Sequence, residues 1–232
     1  MRRRETFSEQ RWPVDEESLE QARSWATSIT TQVLDWTWRG FDQLRDEHLF
    51  HTDLQQPLDQ LERDLTSKHF THINKLWAQE TCGYSSMNPH HEWPELETRP
   101  PPPGRPPAYD FAFVNEENQR IAWPIEAKIV RNPRALARYL LDVRKFVKGT
   151  AAPFIGEGGL IAYLLGGLPS ALLRKIELRL GVTLDVVADF CLRHHRASQH
   201  SRSSAPSLRL HHMIMECGPP TRTKQQRLHR GP

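Results

Sequence analysis

The stretch YDFAFVNEENQRIAWPIEAKIV, from Tyr109 to Val130, decides how the rest of the chain is arranged. It reads as two short apolar strands around a polar turn. The first opens on the acid Asp110 and runs through Phe111, Ala112, Phe113 and Val114. Asn115 to Arg120 is the connection, with the turn formers Asn115 and Asn118. The second strand, Ile121 to Val130, is apolar except for Glu126 and Lys128. Residues two apart on a strand share a face, so Glu126 and Lys128 project together and Ala127 points the other way. A carboxylate and an ammonium on a strand otherwise fit for burial cost desolvation energy, so they either pair for structure or mark a site. Asp110 on the neighbouring strand favours a site, because the carboxylates and the lysine together can hold a divalent cation and a water.

Upstream, Asp15 to Asp35 reads as an amphipathic helix. Leu19, Ala22, Ala26, Ile29, Val33 and Trp36 recur at spacings of three and four, and acids crowd the first turn. Trp38, Phe41 and Leu44 continue an aromatic-rich face to about Phe50. The tryptophans here (Trp12, Trp25, Trp36, Trp38) suit packing better than stacking on bases. A second helix is expected from Pro57, a good first-turn residue, with Leu58, Leu61, Leu65 and Leu76 facing inward. Glu62 borders that stripe, either as a surface acid at the edge of a core helix or as a group that reaches the site. From Cys82 to Pro107 no regular element is expected. Gly83 and Asn88-Pro89 break the pattern, and the proline run from Arg99 to Pro107 suits an extended connector. Cys82, His90 and His91 lack a further ligand at zinc spacing.

Downstream, Asn132-Pro133 opens a helix, Arg134 to Lys148, with Leu136, Leu140, Val143 and Val147 on its apolar stripe. Arg134, Arg138, Lys145 and Lys148 fall on the opposite face, which is either an ordinary solvated surface or a track for a phosphate backbone. Its place directly after the strand with Glu126 and Lys128 favours contact. A buried strand, Gly159 to Leu165, follows. A helix then runs from Ser170, a good N-cap, to Leu180 and stops at Gly181. Val182 to Leu192 and Ser207 to Met215 read as strands. Between them the loop HHRASQHSR offers Arg196, His200 and Arg202 beside small hydroxyls, a composition that suits phosphate oxygens.

The chain's 232 residues allow one domain of ordinary size with extensions. The expected division is an N-terminal helical extension over 1–53, an α/β domain over 54–218 and a basic flexible tail over 219–232. Three cysteines without ligand spacing argue for reduced thiols and a cytoplasmic location. MRRRETFSEQ has no apolar core of a signal peptide, and no apolar run reaches a membrane span. The net charge is only +3, yet from Arg193 onward eight Lys or Arg face a single acid, Glu216. That skew suggests a polyanion partner. No phosphate-binding glycine loop and no GxSxG nucleophile turn is present.

The order helix, strand with Asp, strand with ExK, helix, strand, helix, strand, strand resembles the PD-(D/E)xK, restriction-endonuclease-like nuclease superfamily. Asp110, preceded by Pro107, and Glu126-Ala127-Lys128 carry the likeness, with Glu62 on the preceding helix. PPAYDFAFV, WPIEAK and APFIGEGGLIAYLLGG also look like a bacterial, defence-associated subgroup of such proteins. Pro124 interrupts the ExK strand and implies an edge or a bulge there. The resemblance implies an α/β/α core with a mixed central sheet. It further implies that Asp110, Glu126, the carbonyl oxygen of Ala127 and Glu62 hold Mg²⁺ or Mn²⁺. Lys128 would orient or activate water and hold the scissile phosphate of a nucleic acid, DNA favoured, in restriction or phage defence. The alternative is a catalytically inactive nucleic-acid-binding module on the same scaffold. A further expectation is that the N-terminal helix pairs with a second copy or a partner protein.

Overall fold

The computed structural model describes residues 16–95, 108–131, 133–203 and 205–218, with the backbone alone at 133–135. The proline run and the basic tail lie outside these residues. In chain order the elements are α1 (Glu16–Glu47), α2 (Leu58–Thr81), β1 (Met87–Pro94), β2 (Ala108–Asn115), β3 (Ala122–Val130) and α3 (Pro133–Val147). They continue with β4 (Glu157–Leu164), α4 (Pro169–Leu180), β5 (Asp185–Val186), β6 (His195–His200) and β7 (Leu208–Glu216). The strands form one mixed sheet in the order β1-β2-β3-β4-β7-β6-β5. β3 runs parallel to β4, and β4 to β7, while the remaining pairs are antiparallel. The expected α/β class and mixed sheet are both present. Among the described residues no helix is long and apolar enough to cross a membrane.

Alternation along the strands sorts side chains between two helical layers. On one face Phe113 stacks on Trp36 of α1, with ring centroids 6.1 Å apart. Trp123 donates its indole N–H to Thr30 Oγ1 at 3.0 Å, and the Tyr163 hydroxyl meets His69 Nδ1 of α2 at 2.8 Å. On the other face the Tyr139 hydroxyl of α3 lies 2.8 Å from His212 Nδ1. Phe146 of α3 lies across Gly158, where an added Cβ would come within 2.7 Å of its ring. α4 flanks α3, and the two line an apolar groove with Val130 and Leu164 at its base. β4 is buried along nearly its whole length, as a strand covered on both faces should be.

Several elements depart from expectation for physical reasons. α1 is one helix to Glu47, and it buries Trp36, Trp38, Phe41 and Leu44 in the same core as the sheet. The boundary expected at residue 53 therefore cuts through one hydrophobic core, and α1 is a layer of it. Pro57 caps α2 from outside, its carbonyl accepting from the Gln60 and Leu61 N–H groups. β1 arises where no element was expected, and as an edge strand it tolerates Pro89 and Pro94. β3 is interior, and Pro124 needs no bulge because the ladder to β4 begins only at Ile125. Ser170 lies inside α4, with Leu168 at the N-cap, while Gly181 ends it with φ 67° as expected. The strand expected over Val182 to Leu192 shrinks to Asp185–Val186, and the expected HHRASQHSR loop is mostly β6.

Candidate active site

β2 and β3 stay paired from Val114–Ala122 as far as Phe111–Ile125, and then they part. Backbone donors left without a strand partner need another acceptor. Side-chain carboxylates take that place. The Ala127 N–H donates to Asp110 Oδ2 at 2.7 Å, and the Ile129 N–H donates to Glu62 Oε2 at 3.2 Å. The fork between the strands thus draws in one acid from β2 and another from the first turns of α2.

Lys128 reaches into this fork. Its Nζ donates to the Ala127 carbonyl at 2.7 Å and to Glu62 Oε1 at 3.2 Å. Asp110 Oδ2 and Asp142 Oδ2 each lie 3.5 Å away, and Glu126 Oε2 lies at 3.8 Å. One ammonium therefore stands among four carboxylates. The pit is shallow and opens on the Asp110 side, whose side chain is 26% exposed against 5% for Asp142 and 9% for Glu126.

The local charges do not balance. Lys145 Nζ approaches Asp142 Oδ1 at 2.6 Å from the rim, and Arg138 pairs with Asp59 while standing 4.0 Å from Glu62. Even so, burial raises the Glu126 carboxyl well above the usual carboxylate range, and the Asp110 charge pushes it further than Lys128 pulls it back. Burial disfavours the Lys128 ammonium, but Asp110, Glu126, Glu62 and Asp142 outweigh that and hold its proton more tightly than in water. Asp142 Oδ2 is buried and accepts no hydrogen bond. The cluster offers hard oxygens, the donor type that Mg²⁺ and Mn²⁺ take, but Lys128 Nζ stands where they converge, and no three of its carboxylates bring oxygens within 4.8 Å of one another.

The structure brings together Glu62, Asp110, Glu126, Ala127 and Lys128, all singled out from the sequence. Asp142 was missed, although a signal for it exists. It is the sole acid of α3 and falls in the buried series Tyr139, Asp142, Val143 and Phe146. An acid inside an apolar stripe is as informative as Glu126 on its strand. Arg138 and Lys145 border the pit, and Lys148 is exposed at the end of the same helix. The side chain of Arg134 lies outside the described residues.

The other three residues proposed for phosphate contact lie on or beside β6, with β4 and β7 between that strand and β3. The Arg202 guanidinium donates to the carbonyls of Phe146, Ala152, Ile155 and Pro206, lashing loops together, and burial lowers its pKa to about 10. Arg196 donates to the His195 carbonyl at 2.7 Å, and His200 meets Ser198 Oγ at 2.7 Å. These contacts hold β6 in place, so the open phosphate-binding loop expected there gives way to a packed strand.

Around β6 and β7 the histidines form closed chains. The Trp38 indole N–H donates to His195 Nδ1 at 3.2 Å. Indole nitrogen only donates, so His195 carries its proton on Nε2 and passes the donation to His211 Nδ1 at 3.0 Å. His211 Nε2 then donates to Glu157 Oε2 at 3.0 Å. A second chain joins Tyr139, His212 and Ser198, with both links at 2.8 Å. Burial lowers His195 to about 2 and His211 and His212 to about 3, and it lifts Glu157 to about 7. No family model matches this chain, no curated protein is similar to it, and no solved structure matches it.

Proposed function

We propose that the chain is a metal-dependent phosphodiesterase that cleaves nucleic acid, DNA in the first instance. The observation that carries this reading is the convergence of Glu62, Asp110, Glu126 and Asp142 on Lys128 where β2 leaves β3. Asp110, Glu126 and the Ala127 carbonyl oxygen would hold Mg²⁺ or Mn²⁺, with Glu62 and Asp142 completing the oxygen set. When bound, the ion lowers the pKa of a water and neutralises charge that builds on the phosphate oxygens. The surrounding acids hold the Lys128 proton in the metal-free site, and Lys128 would orient the water and present positive charge to the scissile phosphate. Arg138 and Lys145 stand at the rim, where a phosphate backbone would meet them first. A place in restriction or phage defence is the biological setting this chemistry suits.

The test is cleavage of single- and double-stranded DNA and RNA with and without Mg²⁺. Asp110→Ala and Lys128→Ala are expected to abolish metal-dependent cleavage while the far-ultraviolet circular dichroism stays native. Full cleavage by purified Lys128→Ala protein overturns the assignment. One observation favours a second reading, a non-catalytic nucleic-acid-binding module. Asp110 and Glu62 already accept from the Ala127 and Ile129 N–H groups, so the cluster has a structural task of its own. Calorimetry separates the two, since DNA binding without any Mg²⁺ or Mn²⁺ heat at millimolar concentration supports the module.

A further inference from the structure

A separate trio of possible ligands sits where the C-terminal end of α1 meets the middle of α2, and it shares no residue with the carboxylate cluster. Glu47 and His48 come from the last turn of α1 and the residue after it, and His72 comes from α2. Glu47 Oε2 lies 3.9 Å from His48 Nε2 and 4.0 Å from His72 Nε2, and one ligand atom from each residue lies within 4.8 Å of the others.

His72 is the informative member. Its side chain is 1% exposed, and its Nε2 is buried without a hydrogen-bond partner. Its Nδ1 faces Gln43 Oε1 at 3.2 Å. A carboxamide oxygen accepts, so Nδ1 carries the proton and the Nε2 lone pair points unused toward Glu47 and His48. A ring nitrogen oriented by an acceptor on its far side is the arrangement a metal-ligating histidine needs.

We propose that Glu47, His48 and His72 bind a transition-metal ion, Zn²⁺ in the first instance. Two imidazoles and a carboxylate match the nitrogen and oxygen donors that zinc takes, and they leave a position for solvent. Zinc ligands lie about 2.0–2.2 Å from the metal, so the trio must draw in by about an ångström. Glu47 and His48 can supply that movement, because their side chains are 54% and 42% exposed while His72 is fixed. The Lys75 charge on the same helix acts against a cation at His72. The bound ion would tie α1 to α2. Nitrogen donors also distinguish this trio from the all-oxygen pit, which suits Mg²⁺.

The experiment titrates ZnCl₂ into the full chain by calorimetry with excess Mg²⁺ present, and follows the melting temperature in parallel. The expected result is one saturable Zn²⁺ that raises the melting temperature. His72→Ala should remove it, and His48→Gln, made on a side chain that is 42% exposed, should weaken it about tenfold or more. Gln43→Ala should weaken it about tenfold by releasing the ring. Absence of saturable Zn²⁺ binding overturns the proposal. So does unchanged binding in His48→Gln, which would assign the zinc to other surface groups such as Cys82 or Cys191.

Discussion

The carboxylate pit between β2 and β3 and the histidine chains across β6 and β7 bury polar groups in opposite ways. In the histidine region each ring nitrogen of His195, His211 and His212 has a partner, and burial keeps all three rings neutral. In the pit four acids share one deeply placed lysine, Asp142 Oδ2 accepts nothing, and Glu126 resists ionisation. Buried polar groups with every valence met serve the fold. A surplus of one charge, held in place at a cost, needs a partner from outside.

Acid should break the histidine region first and most. His69, His195, His211 and His212 have folded pKa values of about 4, 2, 3 and 3, below the ordinary value near 6.5. The unfolded chain therefore takes up protons that the folded chain refuses, and stability drains as pH falls below about 6.5. Each histidine contributes a loss of about 1.4 kcal/mol per pH unit. Glu157, lifted to about 7, has the opposite sign, since its stabilisation is present at low pH and fades as pH rises toward that value. It offsets one histidine of the four, and Glu126, also raised by burial, acts in the same direction as Glu157. Melting temperatures between pH 7.5 and 5 should fall steeply, and a flat profile would falsify the neutral-chain picture.

Lys128→Met tests the pit. It leaves four acids without their shared cation and should cost about 3–5 kcal/mol of stability in chelator. Added Mg²⁺ should recover part of that loss. Equal urea midpoints for the variant and the wild type in chelator would remove the contrast between the regions. His212→Leu leaves the Tyr139 hydroxyl without its ring partner and should cost about 1–3 kcal/mol, with no response to Mg²⁺. Recovery by Mg²⁺ there would show that the two regions are not independent. Glu126→Gln carries the smallest effect and the opposite sign. A neutral isostere removes surplus charge and should stabilise the metal-free fold by about 1 kcal/mol while ending cleavage. Destabilisation in chelator would mean that the charge is satisfied as it stands.

Much of the site was legible because its residues break an apolar pattern locally. Glu126 and Lys128 interrupt a run of apolar residues, and Asp110 heads another, so alternation alone places them together. Glu62 could not be settled that way, because its role depends on the Ile129 N–H, 67 residues away. Asp142 hides among the leucines and arginines of α3, where its burial follows from the packing of Tyr139 and Phe146 on the sheet. β1 is disguised by Asn88-Pro89 and Pro94, which read as turn residues without a neighbouring strand, and Glu92 does take a left-handed φ of 54° within it. HHRASQHSR is polar, and its composition alone points to a loop where β6 lies. His195 becomes a core residue only when Trp38, His211 and Glu157 arrive from other parts of the chain.

Gly158 has no functional group, yet it governs how near the helix bearing Asp142 and Lys145 can come to the sheet. The Phe146 ring occupies the space a side chain there would need. A single methyl on that strand would act as a shim under α3, lifting its acid and its base away from Lys128 together. The reach of the pit is thus gauged by the thickness of one missing carbon on a strand that contributes no side chain to it.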